Sequence, residues 1–120
     1  MKNEEPTVCD LANKSCKPCE GGTSPMGEGE IMESLKKLQG WEFINGRIHK
    51  TYSFKDYYQT MAFVNVVAWV AHKENHHPDL EVSYNKCKVF FSTHAINGVS
   101  ENDFICAAKI DAFIAVRLTF

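Results

Sequence analysis

The chain has 120 residues, 44% of them hydrophobic and 23% charged, with a formal net charge of −2. That is the composition of one ordinary globular domain, large enough for a single core and too small for two. No basic run forms a nucleic-acid surface, and the longest near-continuous apolar run, residues 61–71, is broken by Asn65 and is too short to span a bilayer.

The N-terminus lacks the apolar stretch of a signal peptide and the five cysteines are odd in number, so reduced thiols in the cytoplasm are expected. Residues 1–29 hold three of the four prolines and show neither a helical nor an alternating period. They read as a polar, flexible leader ahead of one folded domain over residues 30–120. Cys16-Lys17-Pro18-Cys19 is a C-x-x-C pair with Cys9 upstream. A zinc knuckle needs further ligands, usually a second such pair, and a redox dithiol needs a strand–helix setting. The sequence supplies neither, so no metal and no catalytic role is expected of these cysteines.

Residues 30–39 form a short amphipathic helix, with Ile31, Leu35 and Leu38 on one face and Gly40 as its stop. A strand over 41–44 and its return over 47–54 flank Asn45-Gly46, a two-residue hairpin signal because both turn positions need positive φ. The main helix spans 55–75 and is apolar almost all round, through Tyr57, Tyr58, Met61, Phe63, Val64, Val66, Val67, Trp69 and Val70. One thin sheet covers one side of such a helix, so the other side calls for a second subunit. A second hairpin pairs 80–84 with 87–93, and alternation of Leu80, Val82 and Tyr84 with Glu81 and Ser83 predicts one buried face. After a loop over 95–99, Ser100 caps a last helix that runs to about residue 118, with Glu101 and Asp103 in its first turn. The order α-β-β-α-β-β-α predicts an α+β fold, a four-stranded antiparallel sheet with three helices on one face.

Four of the five histidines fall between residues 72 and 103. His76 and His77 precede Pro78, which disfavours helical geometry in the residue before it, so the pair sits where a helix hands over to a strand. Antiparallel return of the following hairpin brings His94 back beside them. Imidazoles exchange protons near neutral pH, which makes this a candidate acid–base site; adjacent histidines are also ordinary solvated loop residues. His72 and His76 stand i,i+4 on the helix, a zinc-compatible spacing, but Lys73 follows His72 where the metalloprotease pattern H-E-x-x-H needs glutamate.

His76-His77-Pro78, five residues to Tyr84, nine more to His94 and eight more to Asp103 resemble the signature of the pterin-4a-carbinolamine dehydratases. Tyr84-Asn85-Lys86, Ser92-Thr93-His94, Gly40-Trp41 and the helix start Phe54-Lys55-Asp56 are similar to that family too, and the likeness runs from about Ile31 to the C-terminus. The C-x-x-C leader resembles a bacterial subgroup associated with phenylalanine hydroxylation. The resemblance implies dehydration of a 4a-hydroxytetrahydropterin to the quinonoid dihydropterin, supporting tetrahydrobiopterin recycling, with pterin as substrate and neither cofactor nor metal. It implies His76 and His94 as the acid–base pair, His77 as a residue that orients the pterin, and His72, Pro78 and Asp103 as supporting or substrate-binding residues. Asp103 has a second reading as a stabiliser of the last helix's start. His72 stands where the family often carries an acidic residue, and Leu80 where animal members carry tryptophan. The implied partners are a functional link to phenylalanine hydroxylase and a homodimer or homotetramer, with no nucleic acid and no membrane. Some animal members stabilise dimers of a transcription factor, so the alternative is an interaction module of the same fold with little or no catalysis.

Overall fold

The structure, a computed structural model, describes residues 11–17 and 25–117. Cys9 and Cys19 lie outside the described residues. The elements are α1 (Glu28–Leu35), β1 (Glu42–Ile44), β2 (Arg47–Ser53), α2 (Tyr57–Glu74), β3 (Asp79–Val82), β4 (Lys86–Phe91), a 3₁₀ turn (His94–Ile96) and α3 (Glu101–Arg117). The strands form one antiparallel sheet in the order β1-β2-β4-β3, the α+β arrangement expected from the alternating patterns.

Asn45 and Gly46 take φ of 54° and 78°, the paired left-handed conformation that matches the twist of a tight hairpin. In the next pairing Ile48 opposes Phe91, and Tyr52 opposes Cys87. Alternation then places Ile48, Tyr52, Cys87, Val89 and Phe91 on the buried face, where Ile31 of α1, Phe63 and Val67 of α2 and Phe104 of α3 close over them. Asp111 of α3 fastens the last helix to the sheet, accepting from Trp41 Nε1 at 2.8 Å, Tyr52 Oη at 2.6 Å and Lys50 Nζ at 3.0 Å. Burial, reinforced by that carboxylate, drives the Tyr52 phenol far above its usual range, so it stays a neutral donor.

Two features, in β3 and in residues 11–17, differ from the sequence patterns, and a third, in α2, agrees with the one-sided cover expected of it. Leu80 and Val82 face the core side but β3 is an edge strand, so Leu80 is half-buried and Val82 and Tyr84 are exposed. The predicted buried face of that strand is therefore incomplete within one chain. Helix α2 buries Thr60, Phe63, Val67 and Val70, whereas Tyr58 is 80% and Trp69 56% exposed. Residues 11–17 are joined to the domain rather than separate from it. Leu11 is buried, Lys109 Nζ donates to the Ala12 carbonyl at 2.6 Å, and Asn102 bonds the Lys17 backbone through both its amide oxygen (3.0 Å) and nitrogen (2.7 Å). One apolar residue and a set of long-range polar contacts leave no period for a sequence to display.

Candidate active site

Helix α2 ends because Asn75 adopts the left-handed conformation, φ 54°, and its amide bonds back to the last turn. The helix thus closes before His76, and Pro78 keeps the following chain extended into β3. Across the sheet, β4 delivers Ser92 and Thr93 to the same corner. Thr93 N donates to the Gly98 carbonyl at 2.7 Å, and Asn97 takes a left-handed φ of 53°, so His94 projects from a tight closed loop. Helix α3 begins directly behind it.

His76 is the least exposed member of the group, its side chain 12% accessible. Its ring stacks on Phe91, with centroids 5.9 Å apart and planes 7° from parallel, and Nε2 lies 2.6 Å from Oδ1 of Asp103. Asp103 is fully buried. Its other oxygen accepts from Thr93 Oγ1 at 2.8 Å and from the Ser100 amide at 2.9 Å. Ser100 Oγ accepts from the Asn102 amide at 3.2 Å and stands 2.8 Å from Thr93 Oγ1. A consistent assignment of protons follows. Ser100 donates to Thr93, Thr93 donates to Asp103, and His76 Nε2–H donates to the remaining carboxylate oxygen. Both lone-pair regions of Asp103 are then used, and His76 is held in the tautomer whose Nδ1 is an acceptor. The two readings of Asp103 coincide: the same carboxylate closes the first turn of α3 and orients the histidine.

His77 and His94 form the open side. Both are exposed, with ring centroids 6.5 Å apart. They border a cleft of about 170 Å³ lined by Asn75, His76, His77, Ser92, Thr93, His94 and Ala95. A neighbouring cleft of about 230 Å³ shares Ser92, Thr93 and His94 and adds Arg47 and Asn97, so His94 stands on the ridge between them. Of the residues singled out from the sequence, His76, His77 and His94 meet at this cleft and Asp103 supports it from behind. Pro78 adjoins it in the chain. His72 is exposed in the last turn of α2 and is not among the lining residues. Thr93, Ser100 and Phe91 complete the support of His76; the spacing Ser100-x-x-Asp103 signalled a helix start but carried no hint that its carboxylate reaches a histidine 27 positions away.

Larger cavities lie elsewhere. One of about 420 Å³ beside Trp69, Phe113 and Lys73 and one of about 510 Å³ beside Met32 and Phe43 have no histidine among their lining residues; the first is bordered by the Glu74–Lys109 ion pair, 3.6 Å apart. Among the described residues no group of three or more His, Cys, Asp or Glu is arranged to hold a metal ion, and no helix is long and apolar enough to cross a membrane.

The family described as pterin 4 alpha carbinolamine dehydratase matches the chain over residues 24–113. A protein of Nitrosomonas eutropha is 60% identical over 108 residues, which span 89% of this chain and 96% of that one. A protein of Dechloromonas aromatica is 49% identical over 110 residues, spanning 92% and 98%. Both bear the name pterin-4-alpha-carbinolamine dehydratase provisionally. A solved transcriptional coactivator/pterin dehydratase from Brucella melitensis superposes with a TM-score of 0.72 at 34% identity, covering 74% of this chain and 97% of its own. A pterin dehydratase-like protein described as a RuBisCO assembly factor in the alpha-carboxysome has a TM-score of 0.51 at 20% identity, covering 60% and 83%, a likeness of fold alone.

Proposed function

We propose that this chain, which belongs to the pterin 4 alpha carbinolamine dehydratase family, converts a 4a-hydroxytetrahydropterin to the quinonoid dihydropterin and water by histidine acid–base catalysis. The observation that carries the proposal is the cleft in which His76, His77 and His94 converge, with His76 tied at 2.6 Å to the fully buried Asp103. Loss of water across N5 and C4a requires one proton removed from nitrogen and one delivered to the departing hydroxyl. No electron is transferred. His76, oriented by Asp103 with Nδ1 as acceptor, is suited to take the N5 proton. His94, exposed on the opposite wall, is suited in its protonated form to donate to the 4a-hydroxyl. After water leaves, His76 has gained a proton and His94 has lost one, and exchange with solvent at the open cleft restores both. His77, facing His94, holds the pterin ring.

In this reading the enzyme acts in the cytoplasm and returns pterin released by an aromatic amino-acid hydroxylase, phenylalanine hydroxylase foremost, to its recycling reductase. A homodimer or homotetramer belongs to the same proposal, supported by the exposed aromatic face of α2 and the uncovered edge of β3. The decisive experiment generates 4a-hydroxytetrahydropterin in situ with a hydroxylase and follows its disappearance. Catalysis well above the spontaneous dehydration rate is expected. A rate no faster than that background sinks the enzymatic reading and leaves an interaction module of the same fold. Light scattering at micromolar concentration tests the assembly, and a monomeric mass refutes it.

A further inference from the structure

We propose that Cys16 and Cys106 are a disulfide-forming pair, a modification site that straps residues 11–17 across the seam between α2 and α3. Their sulfurs lie 3.6 Å apart although 90 positions separate them in sequence. The approach is held from both sides. Cys16 N donates to Glu74 Oε1 at 2.9 Å, and Asn102, one turn before Cys106 on α3, clamps the Lys17 backbone at both its amide and its carbonyl. Lys14 pairs with Glu101 at 2.7 Å on the same helix. The contact is therefore the product of a built docking site and not of one side chain's rotamer. A bonded pair needs sulfurs about 2.05 Å apart, and Cys16, outside any regular element, has the freedom to close that gap.

The two thiols are unequal, which sets the order of events. Cys16 is half-buried, whereas Cys106 is fully buried, its thiol held far above the usual range by the hydrogen bond with Cys16 and by burial. The oxidant is a small disulfide of the glutathione type. Cys16 thiolate attacks one of its sulfurs, forms a mixed disulfide and releases the first thiolate. Cys106 then gives its proton to that first thiolate and attacks Cys16 Sγ, expelling the second thiolate, which takes back from solvent the proton Cys16 had lost. Two protein thiols and one small disulfide become one protein disulfide and two small thiols, so atoms and electrons balance. The bond ties the segment to α3 one turn beyond Asp103, and Cys106 Sγ also lies 3.9 Å from the His76 carbonyl. The strap thus lies behind His76, and its formation does not depend on the reaction proposed above.

The sequence offers Cys16 a competitor three residues away, Cys19, and the experiment must separate the two. Full-length reduced protein is equilibrated in glutathione buffers of rising oxidised fraction, the remaining thiols are alkylated, and peptides are mapped by mass spectrometry. The expected product is a peptide joining Cys16 to Cys106, with the loss of two hydrogens from the intact mass. Closing so long a loop should raise Tm by about 10 °C, a rise absent from Cys16→Ser. The Cys9→Ser/Cys19→Ser double variant, which leaves both thiols of the pair in place, must still form the bond. A Cys16–Cys19 bridge, a Cys16–glutathione adduct that persists, or two thiols that stay alkylatable in excess oxidised glutathione each overturn the proposal.

Discussion

The two halves of the histidine cleft are built to different standards. His76 is stacked on Phe91, bonded to a fully buried carboxylate and backed by Thr93 and Ser100, so its ring has one orientation and one tautomer. His77 and His94 are exposed and face each other across 6.5 Å with no such shell among the described residues. A ring held from several sides beside two solvent-reached rings teaches that one small cleft combines two kinds of support. Under the proposed mechanism the held half would set geometry, and the open half would admit substrate and exchange protons with water.

The largest effect tests whether that division is catalytic. His76→Ala and His94→Ala should each lower kcat by about 10²–10⁴-fold, the range a positioned acid or base supplies. The double variant should lose less than the product, since partners in one proton transfer are not additive. Circular dichroism must first show each variant folded. If both single variants match wild type, the roles assigned to the two histidines are wrong even where dehydration stands.

Asp103→Asn probes the rigid half through its support. The amide is close in shape, but its nitrogen has no acceptor among the donors that now meet the carboxylate. Stability should fall by about 1–3 kcal/mol in urea denaturation, and kcat should fall with the loss of His76 orientation while KM changes little. Thr93→Val removes one of the three donors and strands the Ser100 hydroxyl, so a smaller loss of stability, about 1–2 kcal/mol, should accompany a milder kcat effect. Equal damage from both variants would mean that the carboxylate's charge is not what positions His76.

Removal of residues 1–26 takes away the Leu11, Cys16 and Met26 contacts behind the held half. Leu11 burial alone is worth about 1.5–3 kcal/mol, and a matching drop in unfolding free energy is expected. An unchanged denaturation midpoint would show that the docked segment contributes nothing. The smallest effect belongs to His77, the member of the open half with no assigned proton transfer. His77→Ala should raise KM several-fold with kcat nearly unchanged, measured in the same coupled assay; a kcat loss as large as that of His76→Ala would erase the distinction between its binding role and the proton transfers assigned to His76 and His94.

The sequence by itself determined the element order, the Asn45-Gly46 hairpin, the cap at Ser100 and the meeting of His76, His77 and His94 at one corner. Those features rest on local rules, on periodicity, turn chemistry and antiparallel return, that act over a few residues and leave a pattern in the chain. The spacing of the histidines with Pro78, Tyr84 and Asp103 carried the family as well. Only the tertiary structure decided which histidine is held and shielded, because that depends on Phe91 and Asp103 arriving from elements 15 and 27 positions away. It likewise decided that β3 is an edge strand with Val82 uncovered, since strand order leaves no trace in alternation. The docking of Leu11 and Cys16 was hidden for the same reason. Single long-range contacts have no period, and the energy of each exists only once the partner surface has folded.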